Sequence, residues 1–131
     1  MSSAALSLPP DEPPASPPTP STYSDAFWAA LGTLPARGVP EALVPRALQT
    51  WWRLAHERPP EPELEMIREE ALRFAWSYPD VYLHLDVRAD GYEWFYRVEV
   101  PRESTGTQDP EPALSPAFFA CLTALRARHA T

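Results

Sequence analysis

The stretch VYLHLDVRADGYEWFYRVEV, residues 81–100, decides the fold class. Val81 to Arg88 alternate apolar and polar, and so do Tyr92 to Val100 apart from Phe95. A period of two sends successive side chains to opposite faces, the pattern of a strand with one buried face. Between the runs stands Ala89-Asp90-Gly91, and Asp-Gly signals a two-residue type I′ hairpin turn with positive φ at both positions. With Asp90-Gly91 at the tip, Val87 lies opposite Trp94, Leu85 opposite Tyr96, Leu83 opposite Val98 and Val81 opposite Val100. The other face receives Arg88 with Glu93, Asp86 with Phe95, His84 with Arg97 and Tyr82 with Glu99. One face is apolar and the other mixed, so turn chemistry and hydrophobic pattern agree. A lone hairpin is marginal in water, and its two edges carry unpaired backbone groups. A helix, a further strand or another copy of the chain must cover them.

Upstream, the pattern reads as helices. Leu64, Ile67, Ala71, Phe74 and Tyr78 recur at spacings of three and four, with Glu65, Arg68, Glu69 and Arg73 on the other side. That is an amphipathic helix whose Glu69 and Arg73 stand in the favourable order for an ion pair. Another helix begins at Pro45, after a short turn over 40–44, and presents Leu48, Trp51, Trp52 and Ala55 before Pro59-Pro60 stops it. A first helix starts near Thr22, with Asp25 in a capping-box position, carries Phe27, Trp28, Leu31 and Leu34, and ends at Gly32 and Pro35. Downstream, Pro101 ends the second strand and residues 101–115 read as an exposed loop. Ser115-Pro116 then caps a last helix with Phe118, Cys121, Leu122 and Leu125 on its buried stripe and Arg126, Arg128 and His129 in its last turn.

The expected fold is therefore α+β: four amphipathic helices against one antiparallel hairpin, in the order helix, helix, helix, hairpin, helix. The domain covers residues 23–131. Its expected core is Phe27, Leu31, Leu48, Trp51, Ile67, Ala71, Phe74, Leu83, Leu85, Val98, Phe118, Leu122 and Leu125. Residues 1–22 hold seven of the 18 prolines and none of the aromatic residues. Proline fixes φ and removes a donor, so this segment reads as a disordered, polyproline-like spacer. It contains a PxxP string, Pro14 to Pro17, of the kind that docks on aromatic grooves.

Composition narrows the function. Eighteen acidic residues against 11 basic ones give a net charge of −7, with no basic stripe to displace counterions from a polyanion. A winged-helix reading fails for the same reason, because residues 61–77 carry five Glu and two Arg. All the basic residues are Arg, alanine and proline are abundant and Lys and Asn are absent, which is how a GC-rich bacterial genome writes a protein. The single Cys121 excludes an intramolecular disulfide and sits among apolar residues as a small hydrophobe. No secretory signal or membrane span is legible, so the expected location is the cytoplasm.

No phosphate loop, nucleophile elbow, C-x-x-C or H-E-x-x-H occurs, and no cofactor is implied. The one constellation with possible chemistry is on the mixed face of the hairpin. His84 and Asp86 project the same way, and Glu99 is diagonal to His84, a set that could bind a divalent cation or form an acid–base pair. The plainer reading is ordinary cross-strand pairing, Asp86 with Arg97 and Arg88 with Glu93. The same face displays Tyr82, Arg88, Phe95 and Arg97, residue types enriched at protein interfaces. The expected function is thus non-enzymatic protein–protein interaction, with a homodimer through the sheet as one form of it. The alternative is a small-molecule or metal-binding domain, and in that case an enzyme, around His84.

Overall fold

A computed structural model describes residues 23–68 and 70–130 of the chain. The readings placed on residues 1–22, on Glu69 and on the His129 side chain lie outside them. The described chain runs α1 (Asp25–Gly32), two short 3-10 turns (Pro35–Arg37 and Glu41–Leu43), α2 (Val44–Ala55), β1 (Glu63–Ile67), β2 (Ala71–Ser77), β3 (Val81–Arg88), β4 (Gly91–Glu99), β5 (Arg102–Gly106) and α3 (Pro116–Ala130). The strands form one antiparallel meander in the order β1-β2-β3-β4-β5. The class is α+β as expected, but the described residues hold three α-helices and a five-stranded sheet rather than four helices and one hairpin.

The largest correction falls on residues 61–78. Glu, Leu, Met, Arg and Ala all favour helix, and a helical stripe fits, but the stretch folds as a β-hairpin. The same residues also alternate: Leu64 pairs with Phe74 and Met66 with Leu72, on one face of the sheet. Helix propensity differs among such residues by only a few tenths of a kcal/mol, whereas an unpaired buried backbone group costs about 1–3 kcal/mol. As a strand, β2 satisfies the edge of β3 from Ala71↔Arg88 to Ser77↔Tyr82. It also buries Leu72, Phe74 and Trp76 together, which a single helical stripe would not. The turn between β1 and β2 holds Arg68 at a φ of 55°.

The hairpin exists, but its register is shifted by two. Val87 pairs with Tyr92, Leu85 with Trp94, Leu83 with Tyr96 and Val81 with Val98. A shift of two preserves the faces, so the apolar set stays apolar. The tip is Ala89-Asp90, with Arg88 opposite Gly91, and neither Asp90 nor Gly91 has positive φ. Gly91 is required for another reason: a Cβ there would come within 2.6 Å of the Glu111 carbonyl oxygen. Chain 107–111 crosses at that point and binds β4, with Tyr92 N donating to Glu111 O (2.7 Å) and Glu111 N to Tyr92 O (2.8 Å). The supposed loop 101–115 thus contains β5 and a second contact to β4. Together they cover the strand's outer edge.

α2 and α3 bury their apolar sides against one face of this sheet, and Phe27 of α1 packs on Trp51 of α2. Trp51 of α2 stacks on Phe74 of β2 at 5.9 Å, and Phe118 of α3 meets Trp94 of β4 edge-on, also at 5.9 Å. Ser24 caps α1 through the Phe27 amide (3.1 Å), and Ser115 caps α3 through Phe118 (3.3 Å). Tyr23 is buried beside Phe27 and Trp51, and its hydroxyl donates to Pro59 O at 2.8 Å; burial raises its pKa to about 12. Of the expected core, Leu48 is 41% exposed and Ile67 lies half-buried on the far side of β1; the others are buried. On α2 the buried positions are Ala47, Thr50, Trp51, Leu54 and Ala55, so the helix is rotated away from Leu48 and Trp52. The buried indole Nε1 of Trp51 finds no hydrogen-bond partner among the described residues.

Replacing Gly91 by Ala should destabilise the fold by about 1–3 kcal/mol, because the added methyl meets backbone that cannot swing away. Gly32→Ala, which meets nothing within 4 Å at the end of α1, is the matched control and should be neutral or mildly stabilising. Urea denaturation of both variants measures the difference, and equal midpoints would remove the assigned role of Gly91.

Candidate functional site

The second face of the sheet follows from the strand period. Ala71, Arg73, Ala75 and Ser77 of β2 share it with Tyr82, His84, Asp86 and Arg88 of β3. From β4 and β5 come Glu93, Phe95, Arg97 and Glu99, with Arg102, Ser104 and Gly106. Across the sheet these form rows: Glu65–Arg73–Asp86–Glu93, Ala75–His84–Phe95–Gly106 and Ser77–Tyr82–Arg97–Ser104. The hydrophobic cluster that joins the helices to the sheet includes none of them.

At the centre stand three rings. Tyr82 and His84 are 5.5 Å apart, Tyr82 and Phe95 6.3 Å, and His84 and Phe95 6.0 Å. The Tyr82 hydroxyl hydrogen-bonds His84 Nδ1 at 2.8 Å. Below them, a Cβ on Gly106 would sit 2.5 Å from Trp94 O and 3.1 Å from Phe95 Cα, so glycine is what lets the end of β5 lie this close to the β4 backbone. The guanidinium of Arg97 stands 5.5 Å from the Tyr82 ring centre. Its Nε lies 2.8 Å from Glu99 Oε2, at an angle that makes an ion pair rather than a hydrogen bond.

Beside the rings is the best-formed polar contact of the face. Arg73 grips Asp86 with both nitrogens of its fork, Nε to Oδ1 at 2.7 Å and Nη2 to Oδ2 at 3.0 Å, and Asp86 is only 7% exposed. Such bidentate pairing is strong and directional. Burial pushes the His84 imidazole below its ordinary value; Arg73 adds to that effect, and Asp86 and Glu65 oppose it. Burial likewise raises the Tyr82 phenol and the Cys121 thiol, which disfavours the thiolate.

The expected site residues therefore separate. Tyr82, His84, Phe95 and Arg97 come together. Arg88 stands at the other end of β3, six residues or about 20 Å from Tyr82, within ion-pair range of Asp90, Glu70 and Glu93. Asp86 pairs with Arg73 rather than Arg97. Glu99 is four residues, about 13 Å, along β4 from the position opposite His84, and it pairs with Arg97 and Arg102. The triad His84, Asp86 and Glu99 is not assembled, and among the described residues no group of three His, Cys, Asp or Glu is placed to hold a metal ion. Arg73, Ala75 and Gly106 belong to the face but escaped sequence reasoning. For Arg73 and Ala75 the signal was the alternation in 71–77, masked by the helical stripe; Gly106 stands in the stretch that reads as a loop.

Among the described residues no helix is long and apolar enough to cross a membrane. The chain matches no protein-family model, no curated protein and no solved structure.

Two outcomes test this geometry. Arg73→Leu should cost about 2 kcal/mol, below the range for fully buried pairs because Arg73 remains 23% exposed, and adding Asp86→Leu should recover most of that loss. A double variant no more stable than the single one would contradict this account of the pair. The second outcome concerns pH. With His84 depressed in the folded state, the unfolded chain binds its proton first as pH falls, so stability is complete above about pH 6.5 and declines below it. The melting temperature should fall between about pH 7.5 and pH 5.5, and fall less in His84→Gln. Parallel pH profiles would show that His84 does not contribute.

Proposed function

We propose that this chain is a non-enzymatic protein-binding module whose contact surface is the sheet face centred on Tyr82, His84 and Phe95. Arg97 belongs to that centre, and Arg88 lies at the rim. One observation carries the reading: the three rings stand on a face that the helices leave open, while the core on the opposite face is complete without them. Aromatic side chains and Arg dominate binding energy at interfaces because they bury large areas with few rotatable bonds. The hydrogen bond between Tyr82 and His84 and the contacts of both rings with Phe95 set the rings in advance, which lowers the ordering cost of association.

The metal or small-molecule alternative has less support, since Asp86 would have to leave Arg73 to become a ligand. A homodimer is one form of the proposed association. The edges of the β3–β4 hairpin no longer demand it, because β2 and β5 cover them within the chain. The sheet now ends in two short strands carrying Glu63, Glu65, Arg102 and Glu103, charges of the kind that discourage edge-to-edge pairing.

The test compares the parent chain with Tyr82→Ala/Phe95→Ala and with Arg97→Glu in quantitative affinity capture from the native host. Proteins retained by the parent should be lost from both variants and kept by Glu103→Ala. Light scattering of the same chains separates self-association from other partners, with 14.7 kDa as the monomer mass. Identical captured sets and identical masses in all chains would reject this face as the binding surface.

A further inference from the structure

A second exposed apolar surface lies on the helical side of the molecule, away from the sheet face. Trp28, Leu31, Gly32 and Pro35 of α1 and its following turn, with Val44, Leu48, Trp51 and Trp52 of α2, line a groove of about 480 Å³. Leu48 is 41% and Trp52 36% exposed, although both are large and apolar. No charged side chain lines the groove, so its chemistry selects an uncharged, apolar segment. Tryptophan- and proline-lined grooves of this type suit polyproline helices, whose rings stack on indoles and whose carbonyls accept hydrogen bonds without competing donors.

We propose that the groove is the docking site of the chain's own segment 13–20, in polyproline conformation. Three observations single out this occupant. Residues 13–22 read PPASPPTPST, with five prolines and no charge; the acids Asp11 and Glu12 lie just upstream. The first described residue, Tyr23, already stands at the groove, its ring 6.0 Å from Trp28 and 5.2 Å from Trp51. The lengths also match. The eight residues of α1 span about 12 Å, a length that about four polyproline residues cover at ~3.1 Å each, so the segment is long enough for the groove. Tethering sets an effective concentration of order mM, so even a weak contact is well populated. This gives the segment a role beyond that of a spacer, and it is independent of the proposed sheet-face function.

The experiment uses the full chain with Cys121→Ala and a nitroxide on Ser16→Cys, and reads paramagnetic broadening of the tryptophan indole signals. Trp28 and Trp52 should broaden more than Trp94, which lies two strands beyond Phe74. The broadening should be lost in Pro17→Ser/Pro18→Ser/Pro20→Ser and in Leu48→Glu, whose side chain is exposed and tolerates the change. Trp52→Ala provides a second groove variant read at Trp28, and an unchanged Trp94 signal reports that each variant is folded. Equal broadening in the proline variant would mean that tether proximity alone brings the label close, and the proposal fails. Broadening between a labelled copy and an isotopically enriched unlabelled copy would assign the groove to a second molecule. Binding only of an added peptide of sequence 9–22 would assign it to an external proline-rich partner. Either result overturns the intramolecular site.

Discussion

The structure depends on an obligation of the two central strands. β3 and β4 are long and apolar on one face, and each presents an outer row of backbone donors and acceptors. Buried backbone groups without partners cost more than any side-chain preference nearby. The chain meets the obligation from its own sequence on both sides. Residues 71–77 give up a helix to pair with β3, and residues 102–111 give up a free loop to pair with β4. Once the sheet is five strands wide, its apolar face is broad enough to receive all three helices, and Trp51, Phe74, Trp94 and Phe118 can join one cluster.

That constraint explains what could be read in the sequence and what could not. Helix ends written in local chemistry were legible: Ser115-Pro116 before α3, Pro45 in the first turn of α2, and Gly32 at the end of α1. The faces of the hairpin were legible too, because period two survives a shift of register. The register itself was not, since the glycine of Asp-Gly can answer either of two physical needs. A type I′ turn wants its positive φ, but here Gly91 is needed for its missing Cβ beneath Glu111, and nothing nearby in sequence announces a strand crossing from 20 residues away. Residues 64–78 carried both periods, and local propensity broke the tie in the wrong direction. Leu48 was misassigned because Trp51 and Leu48 share a helical stripe; Thr50 and Ala47 are what set the actual rotation of α2.

The candidate site was half legible. Tyr82, His84, Phe95 and Arg97 were placed on the mixed face, and they meet there. What binds them into a surface comes from stretches whose local pattern points to a helix and a loop: Arg73 holds Asp86, and Gly106 lets β5 lie close against β4 at Phe95. A carboxylate that looks available as a ligand when two strands are considered is already engaged when the third is added. The chemistry of a sheet face therefore has to be read across its whole width.

The meander order has a further consequence. Each strand pairs only with its neighbours in the chain, so the sheet is built from short-range closures, the arrangement associated with rapid folding. α3 is different, for it follows all five strands and packs on β3 in the middle of the sheet. In refolding, the sheet can zip before Phe118, Leu122 and Leu125 dock on it. Trp94 and the rest of the apolar surface that α3 covers then face water. The interval before α3 docks is the one in which the folding chain is most open to aggregation, and its length is set by the docking of one helix rather than by the pairing of the strands.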